Sequence, residues 1–134
     1  MVVLFMAVMD YSRPGGGFLM RSFMAHNPQQ WIQELVVPVL AMQGGLDLQV
    51  DADQNLTAIE KAAAAGGVKL TAKRYEKLNH LFQPATKGSI DEYGTIETTF
   101  DPQALKDLVD WVVATTKDPA ILTITPRPVA KDGS

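Results

Sequence analysis

The chain contains no cysteine among its 134 residues. That excludes a disulfide framework, a thiolate metal site and a cysteine nucleophile. Histidine is scarce: only His26 and His80 are present, and their separation fits no metal-ligand spacing. Neither a metal nor another cofactor is expected. Basic charge is not in excess, since 12 Lys and Arg stand against 15 Asp and Glu, for a net charge of −3. A surface for nucleic acid or for an anionic membrane needs a basic patch, so neither partner is expected. No apolar run approaches the roughly 20 residues that span a bilayer. The run Met1–Met9 meets Asp10, lacks a basic flank and an A-x-A cleavage site, and reads as a buried segment rather than an export signal. An unbroken apolar run does not distinguish helix from strand.

What is present is globular in character. The chain is 46% hydrophobic and 20% charged, a balance that favours a packed core over disorder. Its length suits one domain. The absence of cysteine and of a recognisable leader fits a cytoplasmic protein.

The order of elements points to an α/β fold. Ser12-Arg-Pro-Gly-Gly-Gly17 is a flexible break. Phe18–His26 reads as a short helix ended by Asn27-Pro28. Pro28–Leu35 reads as another, with Trp31 and Ile32 facing inward. Val36–Gln43 is a continuous apolar run, the pattern of a strand covered on both faces. Asp51 or Asp53 then caps a helix over Gln54–Ala65, and Gly66-Gly67 closes it. Val68–Glu76 alternates imperfectly and reads as a second strand. Leu78–Phe100 has little periodicity, and a loop of that length in a compact domain is usually functional. Asp101-Pro102 opens a helix over Gln103–Thr116, with Leu105, Leu108, Val109 and Val112 as its apolar stripe. Ile121–Thr125 is a candidate short strand before a tail.

Strand and helix alternate, which predicts a few-stranded, mostly parallel sheet flanked by helices. Two clear strands do not make a stable sheet. The strand Val36–Gln43 is therefore expected to have a bare edge, closed by self-association into a homo-oligomer or by extra strands from Met1–Met9 or Ile121–Thr125.

Functional groups in such sheets gather at the carboxyl ends of the strands. One polar cluster there is Gln43-Gly-Gly-Leu-Asp47-Leu-Gln-Val-Asp51, and the other is Leu78-Asn79-His80-Leu81-Phe82-Gln83. Parallel neighbours ending at one edge would bring Asp47 and His80 together. A carboxylate that orients an imidazole supplies two parts of a nucleophile–base–acid triad. The bland readings are a turn aspartate and a solvated loop histidine. Other motifs fail. Asp51-Ala-Asp53-Gln-Asn55 begins like a calcium loop, but Leu56 takes the glycine position and Ala62 the final glutamate. Gly15–Gly17 lacks the Lys-Ser/Thr of a phosphate loop, and Met6, Met9, Met20 and Met24 read as core filler.

Three blocks together carry a family resemblance. Val37–Val50 (VPVLAMQGGLDLQV), Asn79–Gln83 (NHLFQ) and Glu92–Phe100 resemble the C-terminal part of the α/β-hydrolase superfamily. The pattern is similar to bacterial esterase-like serine hydrolases related to the serine aminopeptidase branch. The likeness covers residues 18–116, leaving 1–17 as an unmatched segment and 117–134 as a tail. It implies a partial α/β-hydrolase fold, completed by oligomerisation, and hydrolysis of small carboxylic esters. By position it makes Asp47 the triad acid and His80 the general base. The family places its nucleophilic serine earlier, in a G-x-S-x-G elbow. None of Ser12, Ser22, Ser89 and Ser134 sits in that motif.

Three substitutes for the nucleophile are open. Ser89 lies in the same loop as His80. Ser12 stands beside glycines whose amides suit an oxyanion. Water activated by His80 needs no serine. Tyr93 and Thr95 carry hydroxyls but no motif. The alternatives to an enzyme are a catalytically inactive oligomeric scaffold for small apolar ligands, or a half that needs a partner chain.

Overall fold

The computed structural model describes residues 2–4 and 28–117. The helix expected over Phe18–His26, the strand Ile121–Thr125, Ser12 and the tail lie outside the described residues.

The element order is β1 (Val2–Leu4), α1 (Pro28–Glu34), β2 (Val39–Gly44), α2 (Ala52–Gly66), β3 (Leu70–Tyr75), a 3₁₀ segment (Ile90–Thr95) and α3 (Pro102–Thr116). The three strands form one parallel sheet in the order β1-β2-β3. The chain is thus of mixed α/β class. Val2–Leu4 runs beside Val39–Ala41 and supplies the third strand. It lies within Met1–Met9, one of the two segments expected to close that side of β2 as an extra strand.

β2 is the centre of the core. All six of its residues are buried, and successive side chains serve opposite faces. Ala41 joins Ile32 of α1 with Ile59, Ala62 and Ala63 of α2. Leu40 and Met42 join Leu78, Phe82 and Ala104 on the other side, where Tyr75, Phe100, Leu108 and Trp111 close the cluster. Ile32, Leu40 and Ile59 are almost wholly withdrawn from water. Each such side chain stabilises the fold by about 1.5–3 kcal/mol. Pro38 stands just before β2, where its missing N–H costs the ladder nothing.

The caps behave as local chemistry dictates. Asp51 Oδ1 accepts the Gln54 N–H at 2.7 Å, so Asp51 rather than Asp53 starts α2. Asp53 instead pairs with Arg74 of β3. Gly67 ends α2 in the left-handed region at φ 67°, where an L side chain is strained. Asp101 Oδ1 accepts the Ala104 N–H at 2.8 Å, and Pro102 begins α3.

Two inward assignments are corrected. Trp31 is half exposed, and Ile32 alone of the pair is buried. On α3 the inward residues are Ala104, Leu108 and Trp111, while Leu105 and Val109 face out. Polar bonds from β3 fix that rotation: Trp111 Nε1 donates to Thr71 Oγ1 at 3.0 Å, and Tyr75 donates to Asp107 at 2.9 Å. Lys73 adds an ion pair to Asp107 at 3.0 Å. The odd-numbered residues of β3 thus reach α3 through hydroxyl and ammonium groups, so its alternation looked imperfect in apolar terms. No helix among the described residues is long and apolar enough to cross a membrane.

Candidate functional site

β2 and β3 end side by side, with Gly44 in register with Tyr75. The loops leaving them lie against each other. Gly45 N–H donates to Tyr75 O at 2.7 Å and Leu46 N–H to Leu78 O at 2.9 Å. The contact is close because Gly44 has no side chain: a Cβ there would stand 2.5 Å from the carbonyl oxygens of both Leu78 and Asn79. Asp47 and His80 follow in these two loops, and the His80 Nδ1 to Asp47 Oδ2 distance is 2.8 Å.

The acid side is completely bonded. Asp47 Oδ1 accepts the backbone N–H groups of Gln49 at 2.9 Å and Val50 at 3.0 Å. Oδ2 accepts Gln43 Nε2 at 2.7 Å beside the imidazole. A carboxylate offers about four lone-pair positions, and four donors fill them. Asp47 is therefore both a turn aspartate and the partner of His80. Because the carboxylate only accepts, Nδ1 carries the hydrogen in the neutral imidazole and Nε2 keeps a lone pair. The Asp47 side chain is 3% exposed and that of His80 29%, so the acid is shut in while the imidazole meets solvent.

Asn79 builds the histidine loop. It is fully buried, and its Oδ1 accepts the N–H groups of Leu81 at 2.9 Å and Gln83 at 3.0 Å. Its Nδ2 donates to Gln83 Oε1 at 3.1 Å. Phe82 closes the turn at φ 58°, in the left-handed region that a bulky side chain rarely takes. Its ring repays that conformation, stacked on Phe100 at 5.3 Å and edge-on to Tyr75 at 6.0 Å. Phe82 O also accepts the Asp101 N–H at 2.8 Å, which ties the loop to the start of α3.

No family model, curated protein or solved structure matches the chain.

The stretch 85–95 packs beside the acid loop. Gly88, at φ 73°, lies against the Leu46 carbonyl with no room for a Cβ. Glu92 gathers the preceding turn by accepting the N–H groups of Thr86 at 3.2 Å, Lys87 at 2.9 Å and Gly88 at 2.7 Å. The Lys87 amide foremost, with those of Thr86 and Gly88, holds the Glu92 carboxyl below the ordinary carboxylate range. Tyr93 accepts Gln49 Nε2 at 3.1 Å, and Thr95 spends its hydroxyl on Glu92 O at 2.8 Å.

Ser89 opens the 3₁₀ segment with its Oγ buried and without a hydrogen-bond partner. The structure thus joins Asp47 to His80 and does not join Ser89 to either by a hydrogen bond. Among the described residues, no group of three His, Asp or Glu is placed to hold a metal. Sequence reasoning missed the roles of Gln43, Asn55, Asn79 and Glu92. Asn55 had one legible signal: it stands four residues before Ile59, on the face of α2 that is otherwise apolar.

Proposed function

We propose that Asp47 and His80 form the acid–base pair of an ester-hydrolysing site in a partial α/β-hydrolase fold. The observation that carries this is the 2.8 Å contact between His80 Nδ1 and an Asp47 carboxylate held by three further donors. The sequence likeness in the blocks around Asp47 and His80 supports the same assignment. A buried acceptor on Nδ1 leaves Nε2 to act as a base toward solvent. Its substrates would be small carboxylic esters.

Among the described residues, water is the nucleophile the geometry favours. His80 is reachable, whereas Ser89 Oγ is buried and unbonded. In that reading Nε2 takes a proton from water as its oxygen bonds to the ester carbonyl carbon. The tetrahedral intermediate then expels the alcohol, which receives the proton back from Nε2. Ser89 as an acyl acceptor, or a serine supplied by a companion chain, uses the same base. Self-association through a sheet edge belongs to the same proposal, and sedimentation at tens of micromolar tests it.

The test is hydrolysis of p-nitrophenyl acetate by the wild type, His80→Ala and Ser89→Ala. Loss with His80→Ala alone is the expected result. Loss with both variants makes Ser89 the nucleophile. Equal rates in all three overturn the site, and a wild type inert at every concentration favours a binding scaffold or a half that needs a partner.

A further inference from the structure

We propose that Asn55 and Gln43 are positioning residues that clamp the Asp47 carboxylate and thereby fix the hydrogen of the His80 imidazole on Nδ1. The inference rests on the reading of Asp47 and His80 as an acid–base pair, although its test does not require turnover.

Asn55 sits on the inward face of α2 with Ile59, Ala62 and Ala63, and is 2% exposed. An amide in that setting costs stability unless it is hydrogen-bonded. Asn55 Nδ2 donates to Gln43 Oε1 at 2.7 Å, and Gln43, also buried, donates from Nε2 to Asp47 Oδ2 at 2.7 Å. The direction of this chain is forced. A carboxylate has only acceptors, so Gln43 must turn its NH₂ to Asp47. Its carbonyl then faces Asn55, which must turn its own NH₂ inward. Reversing either amide sets oxygen against oxygen in a place closed to water.

The geometry has a consequence for the imidazole. Gln43 and His80 meet on the same oxygen, Oδ2, while the Gln49 and Val50 amides hold Oδ1. Donors on both oxygens prevent the carboxylate from rotating. Oδ2 therefore stays where Nδ1–H can reach it. Asn55 acts through Gln43: its NH₂ holds the Gln43 carbonyl, and so keeps the Gln43 NH₂ on the acid. Networks of this kind fix a side chain more firmly than single bonds do.

The experiment reads the imidazole of the whole chain by nitrogen-15 and proton NMR, with His26 as the internal reference. The variants are Asn55→Asp, which keeps the shape but removes the donor, and Gln43→Met, which keeps the length but removes both polar ends. Thr57→Ala, on the exposed side of the same helix, is the control. The wild type and the control should show His80 as the Nδ1–H tautomer, with a slowly exchanging downfield proton. In both test variants that proton should exchange about tenfold faster or more, the size expected from losing one hydrogen bond. An unchanged His80 proton in folded variants overturns the proposal. A readout on the wild type stands even if a variant fails to fold. The side-chain NH₂ protons of Gln43 and Asn55 should exchange far more slowly than those of exposed Gln54, and equal rates overturn it too. Failure of ester hydrolysis alone would remove the function proposed above and leave this result standing.

Discussion

Gly44 and Asn79 approach each other so closely that a Cβ on the glycine would lie 2.5 Å from the Asn79 carbonyl oxygen. The Leu78 carbonyl stands at the same distance. Both obstacles are backbone and cannot turn aside. Gly44→Ala should therefore push the histidine loop away from β2, at a cost of about 1–3 kcal/mol typical of overpacking. Urea unfolding measures the cost, and the His80 NMR signals should lose the signature of their Asp47 contact. A variant as stable as the wild type would show that the loop has room that the structure does not.

Asp47→Asn replaces an acceptor by an amide, with four donors already aimed at it. One end of the new amide must meet a donor with a donor. Stability should fall by about 1–3 kcal/mol, the usual penalty for an unsatisfied buried group. Ester hydrolysis, where present, should fall by roughly a hundredfold or more, because the imidazole loses the partner that orients it. The two losses are read separately, by unfolding and by initial rates.

Asp101→Ala removes the Ala104 cap of α3. The expected cost is about 1 kcal/mol. The Asp101 N–H bonded to Phe82 O belongs to the backbone and survives the change. Hydrolysis at His80 should therefore be unaltered while the unfolding midpoint drops. A matching loss of rate would mean that the cap side chain, not the backbone, holds the loop.

The pair Tyr75–Asp107 gives stability a pH dependence at both extremes. Burial first, and then the Asp107 hydrogen bond, push the Tyr75 hydroxyl well above its usual value. A raised folded value means that the protonated phenol contributes stability in full below its unfolded pKa of about 10, and that this is lost as pH rises further. Asp107 is held below its usual value, by Lys73 first and then by Tyr75 and Gln103. Its contribution is present above the unfolded carboxylate value of about 4 and is lost as pH falls through the lower folded value. Tyr75→Phe should remove the alkaline limb and also weaken the acid limb, because the Tyr75 hydroxyl is the second group holding Asp107 down, whereas Asp107→Asn should remove the acid limb and reduce the alkaline one. Unfolding midpoints between pH 2 and pH 11 check the assignment.

Several features were legible in the sequence. The apolar run Val36–Gln43 marked the strand observed over Val39–Gly44, and Asp51 or Asp53, with Asp101 and Pro102, marked two helix starts. These depend on a residue and its near neighbours, which is what local sequence reports. The Asp47–His80 pairing was a topological inference, from two parallel strands that end at one edge. Trp31, Leu105 and Val109 were misplaced because periodicity gives a stripe but not the angle at which neighbours receive it.

By itself the sequence determined an α/β alternation, its main caps, and a carboxylate and an imidazole at the ends of adjacent strands. Tertiary structure alone decided how the acid is held. Gln43, Asn55 and Asp47 come from a strand, a helix and a loop, and join only when β2 is packed against α2. It also decided that Val2–Leu4 lies beside β2, 35 or more residues away along the chain. Hydrogen bonds of this sort depend on the direction of a buried donor, and no spacing in a linear chain encodes that direction.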